Sequence, residues 1–219
     1  EVAKTIMKKS NQVDAQNLET YENIQVIREQ MEYAIKENLT SLKKIAMFDM
    51  DNTILRTSFI NAAANKFGFE KELVDIVTNN NTPFIRTKLI ARLLKGKTIG
   101  DLLSLTDTIE ITPHLQEYLS ELKGHGYITG IISDSYDCIT NHLKNKFGFD
   151  FTISNELEFS KSVATGEVKV PSLFLSDDKS QCKHDYCKLN ALINICGNYN
   201  VDLKNTLVIG DGENDVCCI

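Results

Sequence analysis

Apolar positions along this chain recur in two patterns. Over Tyr127–Ser133 (YITGIIS) they run almost without a break, and shorter runs stand at Lys44–Asp49 (KIAMFD), Phe149–Ile153 and Thr206–Ile209. Runs of this kind read as strands of a parallel sheet covered on both faces. Elsewhere the spacing is three and four. Phe59, Ala62, Ala63 and Phe67 form one stripe ended by Gly68, and Leu73 and Ile76 a second ended by the NNNTP turn at 79–83. Ile85, Leu89, Ile90, Leu93 and Leu94 form a third ended by Gly96, and Leu102, Leu103 and Leu105 belong to a fourth. Each stop carries Gly, Asn or Pro chemistry, so the spacing predicts a block of short helices. Thr112-Pro113 opens another, with Thr112 as cap, Leu115, Leu119 and Leu122 as its buried face and GHG at 124–126 as its end. Further helices are predicted from Asp137 to about Lys146 and over Tyr186–Ile195, and Glu158–Val170, with Gly166 near its middle, reads as a β-hairpin.

Strand and helix alternate, which predicts an α/β fold with a doubly wound, mainly parallel Rossmann-like sheet whose ligands sit beyond the carboxyl ends of the strands. The helices at 56–111 stand between a strand and its crossover and read as a small inserted helical lid. The core is then 44–55 and 112–219, truncated at its C-terminal end. Residues 1–43 are polar and charged, and Ile24, Ile27, Met31 and Ile35 place one amphipathic helix there. That helix packs on the core, links to a missing domain or serves as a docking element; the sequence leaves the oligomeric state open. Glu1 is no initiator methionine and Ile219 falls where a helix should start, so the chain reads as processed, trimmed or partial.

Composition changes little in this picture. The 219 residues are 42% apolar and 25% charged, ordinary for a soluble globular protein. The net charge of −6 leans against nucleic acid or an anionic membrane as main partner. No apolar stretch is long enough to span a bilayer and no signal-peptide pattern opens the chain, so a cytoplasmic setting is expected. Six cysteines at this length are not a disulfide framework, and Cys138, Cys196, Cys217 and Cys218 read as small core residues.

Two acidic clusters carry the chemistry, FDMDNTI at 48–54 and VIGDGENDV at 208–216, each directly after an apolar strand. Carboxylates gathered at one sheet edge repel one another unless a cation neutralises them, which points to bound Mg²⁺ and phosphoryl chemistry. In the first cluster, strand alternation puts Asp49 and Asp51 on one face with Met50 turned to the core and the Thr53 hydroxyl holding the turn. They form either a nucleophile with a proton carrier or a strand-to-helix turn with capping roles. In the second cluster Asp211 leaves the strand, Gly212 permits a tight turn and Asn214-Asp215 begins a helix, as metal ligands or as an acidic cap. Ser133, in IISDSYD, is a phosphate cradle or a plain cap, and Lys188 is a solvated lysine or one that neutralises phosphate.

In this order the four segments resemble the haloacid dehalogenase-like superfamily of phosphohydrolases, and within it the phosphoserine-phosphatase-like subgroup, over about residues 44–219. SNELEF at 154–159 and TGEV at 165–168 resemble that subgroup's hairpin region. The resemblance implies Asp49 as nucleophile, Asp51 as general acid and then base, Ser133 as phosphoryl ligand and Lys188, in KLNAL, as charge partner. It implies Mg²⁺ held by Asp49, the Asp51 carbonyl and Asp211, with Asp215 supporting Lys188 or a metal-bound water. The implied activity is hydrolysis of a small phosphorylated metabolite through an aspartyl-phosphate; transfer to an acceptor alcohol and a non-catalytic regulatory module are the alternatives.

The chain departs from the phosphoserine enzymes around the substrate. Ser58 stands where they carry a lid glutamate for the substrate amine, and NNNTP replaces their Ala-Met-x-Gly stretch. Arg92 matches their carboxylate-binding arginine with a one-residue shift, and Arg86 competes with it. Asp134-Ser135 replaces their Gly-Gly; Asp134 either meets a cationic substrate or, the favoured reading, caps the helix. The substrate residues expected are therefore Ser58, Arg92, Asp134 and Ser135, and phosphoserine does not follow from the resemblance. Cys182, His184, Asp185 and Cys187 form a compact group ahead of Lys188, but no second ligand pair stands at zinc spacing, so they read as a surface loop entering a helix.

Overall fold

The computed structural model describes residues 24–32, 43–80, 82–176, 178, 180–182 and 184–218. The chain divides into two compact units, Glu1–Leu42 and Lys43–Ile219. In the first, residues 24–32 are helical and carry an Arg28–Glu32 ion pair at 2.8 Å. The rest of the amphipathic helix expected there, including Ile35, lies outside the described residues.

The second unit is built on five strands in the order β4-β3-β2-β1-β5. β1 (Lys44–Phe48) lies between β2 (Tyr127–Tyr136) and β5 (Thr206–Ile209) and is parallel to both. β2 pairs in parallel with β3 (Phe151–Ser160), and β3 pairs antiparallel with β4 (Val163–Lys169). Strand alternation sorts the core into two layers. Ala46, Phe48 and Ile131 face one layer; Ile45, Met47 and Ile132 face the other, where Phe174, Ala191 and Leu192 cover them. A sheet covered on both faces is what the unbroken apolar runs require.

Four helices stand between β1 and β2: α1 (Phe59–Phe67), α2 (Glu70–Asn79), α3 (Pro83–Leu93) and α4 (Ile99–Thr106). The chain leaves and re-enters the core side by side, with a Leu55–Ile111 bridge and bonds from Arg56 N–H to the Glu110 carbonyl and from Thr112 N–H to the Ile54 carbonyl, both 2.9 Å. Further α-helices among the described residues of this unit are α5 (Leu115–Gly124), α6 (Asp137–Phe147) and α7 (Lys188–Tyr199).

Several local expectations are corrected. Thr112 does not cap α5: its hydroxyl donates to the Thr53 carbonyl, and His114, at φ 61°, precedes the helix instead. The turn at 50–54 is thus held through the Thr53 carbonyl rather than its hydroxyl. β2 runs on to Tyr136, so Ser133 lies inside the strand. β3 and the first arm of the predicted hairpin are one strand, because nothing in SNELEF breaks it before the turn at Lys161 and Ser162. α7 starts later than predicted, since Cys187 is extended and Tyr186 bridges Leu175, and it runs through Gly197 to a left-handed Asn200. Of the cysteines read as core, Cys196 is buried, whereas Cys138, Cys217 and Cys218 are half-buried.

Candidate active site

β1 ends at Phe48, and the Asp49 N–H donates to the Ile209 carbonyl at 2.8 Å, tying the ends of β1 and β5 together. This is where strand order reverses, since β2 and β3 lie on one side of β1 and β5 on the other. The two aspartates do not continue the strand. Met50–Ile54 form one wide turn, closed by Leu55 N–H on the Met50 carbonyl at 2.9 Å. Asn52 takes φ 56°, a left-handed conformation that Asn tolerates better than most residues. Met50 is buried all the same. Asp51 Oδ1 accepts from Phe59 N–H at 2.5 Å, so this carboxylate, not the Ser58 side chain, satisfies a free amide at the start of α1.

Lys188, the first residue of α7, is only 1% exposed. Its Nζ lies 2.7 Å from Asp49 Oδ1 and 2.8 Å from Asp215 Oδ1. Asp49 Oδ1 also accepts from Met50 N–H at 2.7 Å. Burial pushes the Asp49 carboxyl up to about 6 despite the pull of Lys188, with Asp215 and Asp134 adding to the rise. Burial likewise lifts Asp51 to about 7, outweighing the Phe59 amide, while Asp134 and Asp49 push the same way. Burial would lower Lys188, but Asp49, Asp134 and Asp215 together hold it above the ordinary lysine value. Lys188 is therefore a fixed cation between two carboxylates.

Asp211 is exposed, and one carboxylate oxygen from each of Asp49, Asp211 and Asp215 lies within 4.8 Å of the others. Octahedral Mg²⁺ with oxygens at about 2.0–2.1 Å places them about 2.9–4.2 Å apart. An all-carboxylate set that needs to close by less than about 2 Å suits such a hard cation. Asp215 is held by its own loop, its Oδ2 accepting from Gly212 N–H at 3.2 Å. Gly210 makes room for it: a Cβ there would lie 2.4 Å from the Asp215 carboxylate. Gly210→Ala is expected to displace Asp215 and lower turnover at least tenfold, at an overpacking cost of about 1–3 kcal/mol. Steady-state kinetics and thermal melts check this; unchanged values in both would remove the role given to that close approach.

The carboxylates form the floor of a cavity of about 300 Å³ lined by Asp49, Asp51, Asp134, Ser135 and Asp211. Ile60, Val77, Pro83, Arg86 and Ile90, from α1 to α3, line it from the inserted helices, and Ser58 reaches it from the N-terminus of α1. Three expectations change here. Arg86 lines the cavity, whereas Arg92 is exposed and its backbone packs beside Gly166 of β4. Ser133 is fully buried, its Oγ accepting from Ser135 N–H at 3.1 Å, and Asp134, Ser135 and Tyr136 form the wall at that point. Asp134 does not cap α6, which starts after Tyr136 without a side-chain cap; its carboxylate lies 3.5 Å from Asn214 Nδ2. Asn155, buried on β3 and not singled out by the sequence, donates through Nδ2 to the Asp134 carbonyl at 2.5 Å. The sequence reading ends that strand at Ile153, so no local signal marks Asn155 as buried.

Three likenesses to known proteins bear on this geometry. The chain is 28% identical over 180 residues to the phosphoserine phosphatase of Methanocaldococcus jannaschii, covering 80% of each chain. It is 27% identical over 177 residues to the phosphoserine phosphatase of Archaeoglobus fulgidus, covering 79% of this chain but 48% of that one, so it spans about half of that relative's length. A solved structure described as a phospho-aspartyl intermediate analogue of phosphoserine phosphatase superposes with a TM-score of 0.65 at 27% identity, over 80% of both chains. The model of the haloacid dehalogenase-like hydrolases matches residues 46–219, a stretch that contains the aspartate pair, the buried lysine and the second acidic cluster. With the sheet order and the carboxylate floor on which that match falls, this chain belongs to the haloacid dehalogenase-like hydrolase family.

Proposed function

We propose that this protein is a Mg²⁺-dependent phosphomonoesterase that cleaves a small phosphorylated metabolite through an aspartyl-phosphate on Asp49. One observation carries the proposal: Asp49, deep at the floor of a small cavity, shares one oxygen with Lys188 and Met50 N–H and neighbours the Asp211 and Asp215 carboxylates. With Oδ1 engaged twice, Oδ2 is the oxygen that attacks phosphorus as the P–O bond to the leaving group breaks. Asp51, lifted to about 7, is protonated in about half of the molecules at neutral pH, and that form gives its proton to the departing oxygen. As carboxylate it then takes a proton from water, which attacks phosphorus, breaks the Asp49–phosphorus bond and releases inorganic phosphate. Lys188 offsets charge on Asp49. Ser133 accepts from Ser135 N–H and so holds the end of β2, where Ser135 faces the phosphoryl oxygens. Asp49, Asp211 and the Asp51 carbonyl would hold Mg²⁺, with Asp215 supporting Lys188 or a metal-bound water, and the ion would supply positive charge for the phosphoryl oxygens.

In this proposal residues 56–111 are the lid and 44–55 with 112–219 the core, and the protein works in the cytoplasm, where its free thiols stay reduced. No described helix is long and apolar enough to cross a membrane. Both named relatives are phosphoserine phosphatases, and L-phosphoserine heads the substrates to try. Arg86 at the cavity suits a substrate carboxylate, and Asp134 can take over the amine contact that Ser58 cannot make. A panel of phosphorylated metabolites, assayed with and without EDTA and with alcohol acceptors, tests the proposal. Release of inorganic phosphate that EDTA abolishes is expected; phosphate passing mainly to the alcohol identifies a phosphotransferase, and EDTA-resistant activity removes the metal. On a carboxylate-bearing substrate Arg86→Ala is expected to raise KM about 10–100-fold while Arg92→Ala leaves it within about twofold, the loss of a charged hydrogen bond being worth roughly 1.5–3 kcal/mol.

A further inference from the structure

Sequence spacing sets the group Cys182, His184, Asp185 and Cys187 aside as a loop, because no second ligand pair stands at zinc spacing, and Asp185 is a poor match for the two thiols and the imidazole. The fold supplies a fourth ligand from elsewhere. Cys217, in the short helical turn Val216–Cys218 after the second acidic cluster, comes back against the loop that precedes α7. Cys217 Sγ lies 3.3 Å from His184 Nδ1. One ligand atom each from Cys182, His184, Cys187 and Cys217 lies within 4.8 Å of all the others. Asp185, the acid in the local motif, is not in the group; its carbonyl accepts from Ser176 N–H at 3.1 Å.

We infer that Cys182, His184, Cys187 and Cys217 form a structural zinc site, separate from the carboxylate site. Three thiols and an imidazole are a soft, tetrahedral donor set of the Cys₃His kind, which selects Zn²⁺ over Mg²⁺. With Zn–S near 2.3 Å, tetrahedral ligand atoms stand about 3.8 Å apart, so the cluster needs to contract by about 1 Å at most. The three cysteines bind as thiolates and release their protons to solvent, and His184 binds through a neutral ring nitrogen. All six cysteines are free, so no disulfide competes for these sulfurs. The four ligands leave no open position for substrate, as in sites that hold structure rather than perform chemistry.

The position in the chain gives the site its purpose. Cys187 directly precedes Lys188, and Cys217 follows Asp215 by two residues. Zinc between them clamps the start of α7 to the second acidic loop and so fixes both ends of the Lys188–Asp215 pair. Among the described residues, the backbone ties of the loop ahead of α7 include Ser176 N–H to the Asp185 carbonyl at 3.1 Å and Cys187 N–H to the Phe174 carbonyl at 2.8 Å.

The test uses the whole chain, purified under reducing conditions without added metal. Elemental analysis is expected to find about one zinc per chain, lost in Cys217→Ser and kept in Cys138→Ser, whose thiol lies on α6. Co²⁺ added to the metal-free wild type should give strong thiolate-to-metal charge-transfer absorption, which binding at the carboxylate site cannot produce. Zinc at about a thousandfold over its dissociation constant should raise the Tm of the metal-free wild type by about 8–16 °C. Should Cys217→Ser fail to fold, the wild-type Co²⁺ spectrum still decides. Absence of a thiolate band, or zinc content unchanged in a folded Cys217→Ser, overturns the site.

Discussion

Replacing Asp49 with asparagine is expected to lower phosphomonoester turnover by about 10⁴-fold or more, while raising the Tm of the metal-free protein at neutral pH. The first effect follows from removing the attacking oxygen, since an amide has no comparable nucleophile. The second follows from linkage. Burial holds the Asp49 carboxyl at about 6 in the folded protein, above its ordinary value of 3.8. The folded state therefore binds this proton more tightly than the unfolded chain, and its contribution to stability is full below pH 3.8 and lost as pH rises through about 6. At neutral pH the charged carboxylate costs about 1–3 kcal/mol in the absence of metal, a cost that asparagine removes. Melts in EDTA from pH 4 to pH 8 check the sign: the variant should match wild type at the acid end and exceed it at the neutral end. A variant that is inactive and less stable at every pH would mark Asp49 as structural rather than reactive. Sites arranged for reaction commonly give up stability in this way.

Lys188→Met should be the most damaging single change to stability in the site. The lysine is almost wholly buried and stands between Asp49 and Asp215. Methionine fills much of its volume but leaves two buried carboxylates facing each other, and breaking a buried pair in this way costs about 3–5 kcal/mol. For a chain of this length that corresponds to a Tm fall of about 6–20 °C. The defect should grow with rising pH, because Asp49, whose carboxyl burial already holds up, then becomes charged beside Asp215 with no lysine to offset it. Added Mg²⁺ should recover part of the loss, since Asp49, Asp211 and Asp215 remain to bind it. Turnover should fall about 10²–10³-fold even where the variant is fully folded, the range for loss of one electrostatic contact to the reacting group. A Tm within about 2 °C of wild type, which corresponds to less than about 1 kcal/mol, would show that Lys188 does not neutralise this pair.

The parts of this architecture written as local pattern were legible before any coordinates. An unbroken apolar run followed at once by acids fixes both strand and edge, which is why β1, β5, Asp49, Asp51, Asp211 and Asp215 stand at the sheet edge where the sequence puts them. The four inserted helices were legible from their stops. Whatever depends on two distant segments meeting was not. Arg86 and Arg92 lie on one helix, and only the packing of α3 over the floor decides which of them lines the cavity. Ser133 reads as a strand-end hydroxyl, yet β2 continues past it and Ser135, not Ser133, lines the cavity. Asp134 reads as a cap, but α6 begins two residues too late for it. Cys217 sits in an apolar pattern that marks it as core, and its partners lie on the far side of α7 and β5 in sequence. Spacing rules see only neighbours; the fourth ligand comes from the fold.

Covalent capture at Asp49 is the most direct test of the proposed chemistry. Crystals of the wild-type protein grown with Mg²⁺ and beryllofluoride, which mimics a phosphoryl group on a carboxylate, should show tetrahedral density bonded to an Asp49 side-chain oxygen, within reach of Lys188 and Ser135. Omitting Mg²⁺ should abolish it. Density bound at another residue, or an inhibited protein whose Asp49 carboxylate carries nothing, would contradict the aspartyl-phosphate mechanism.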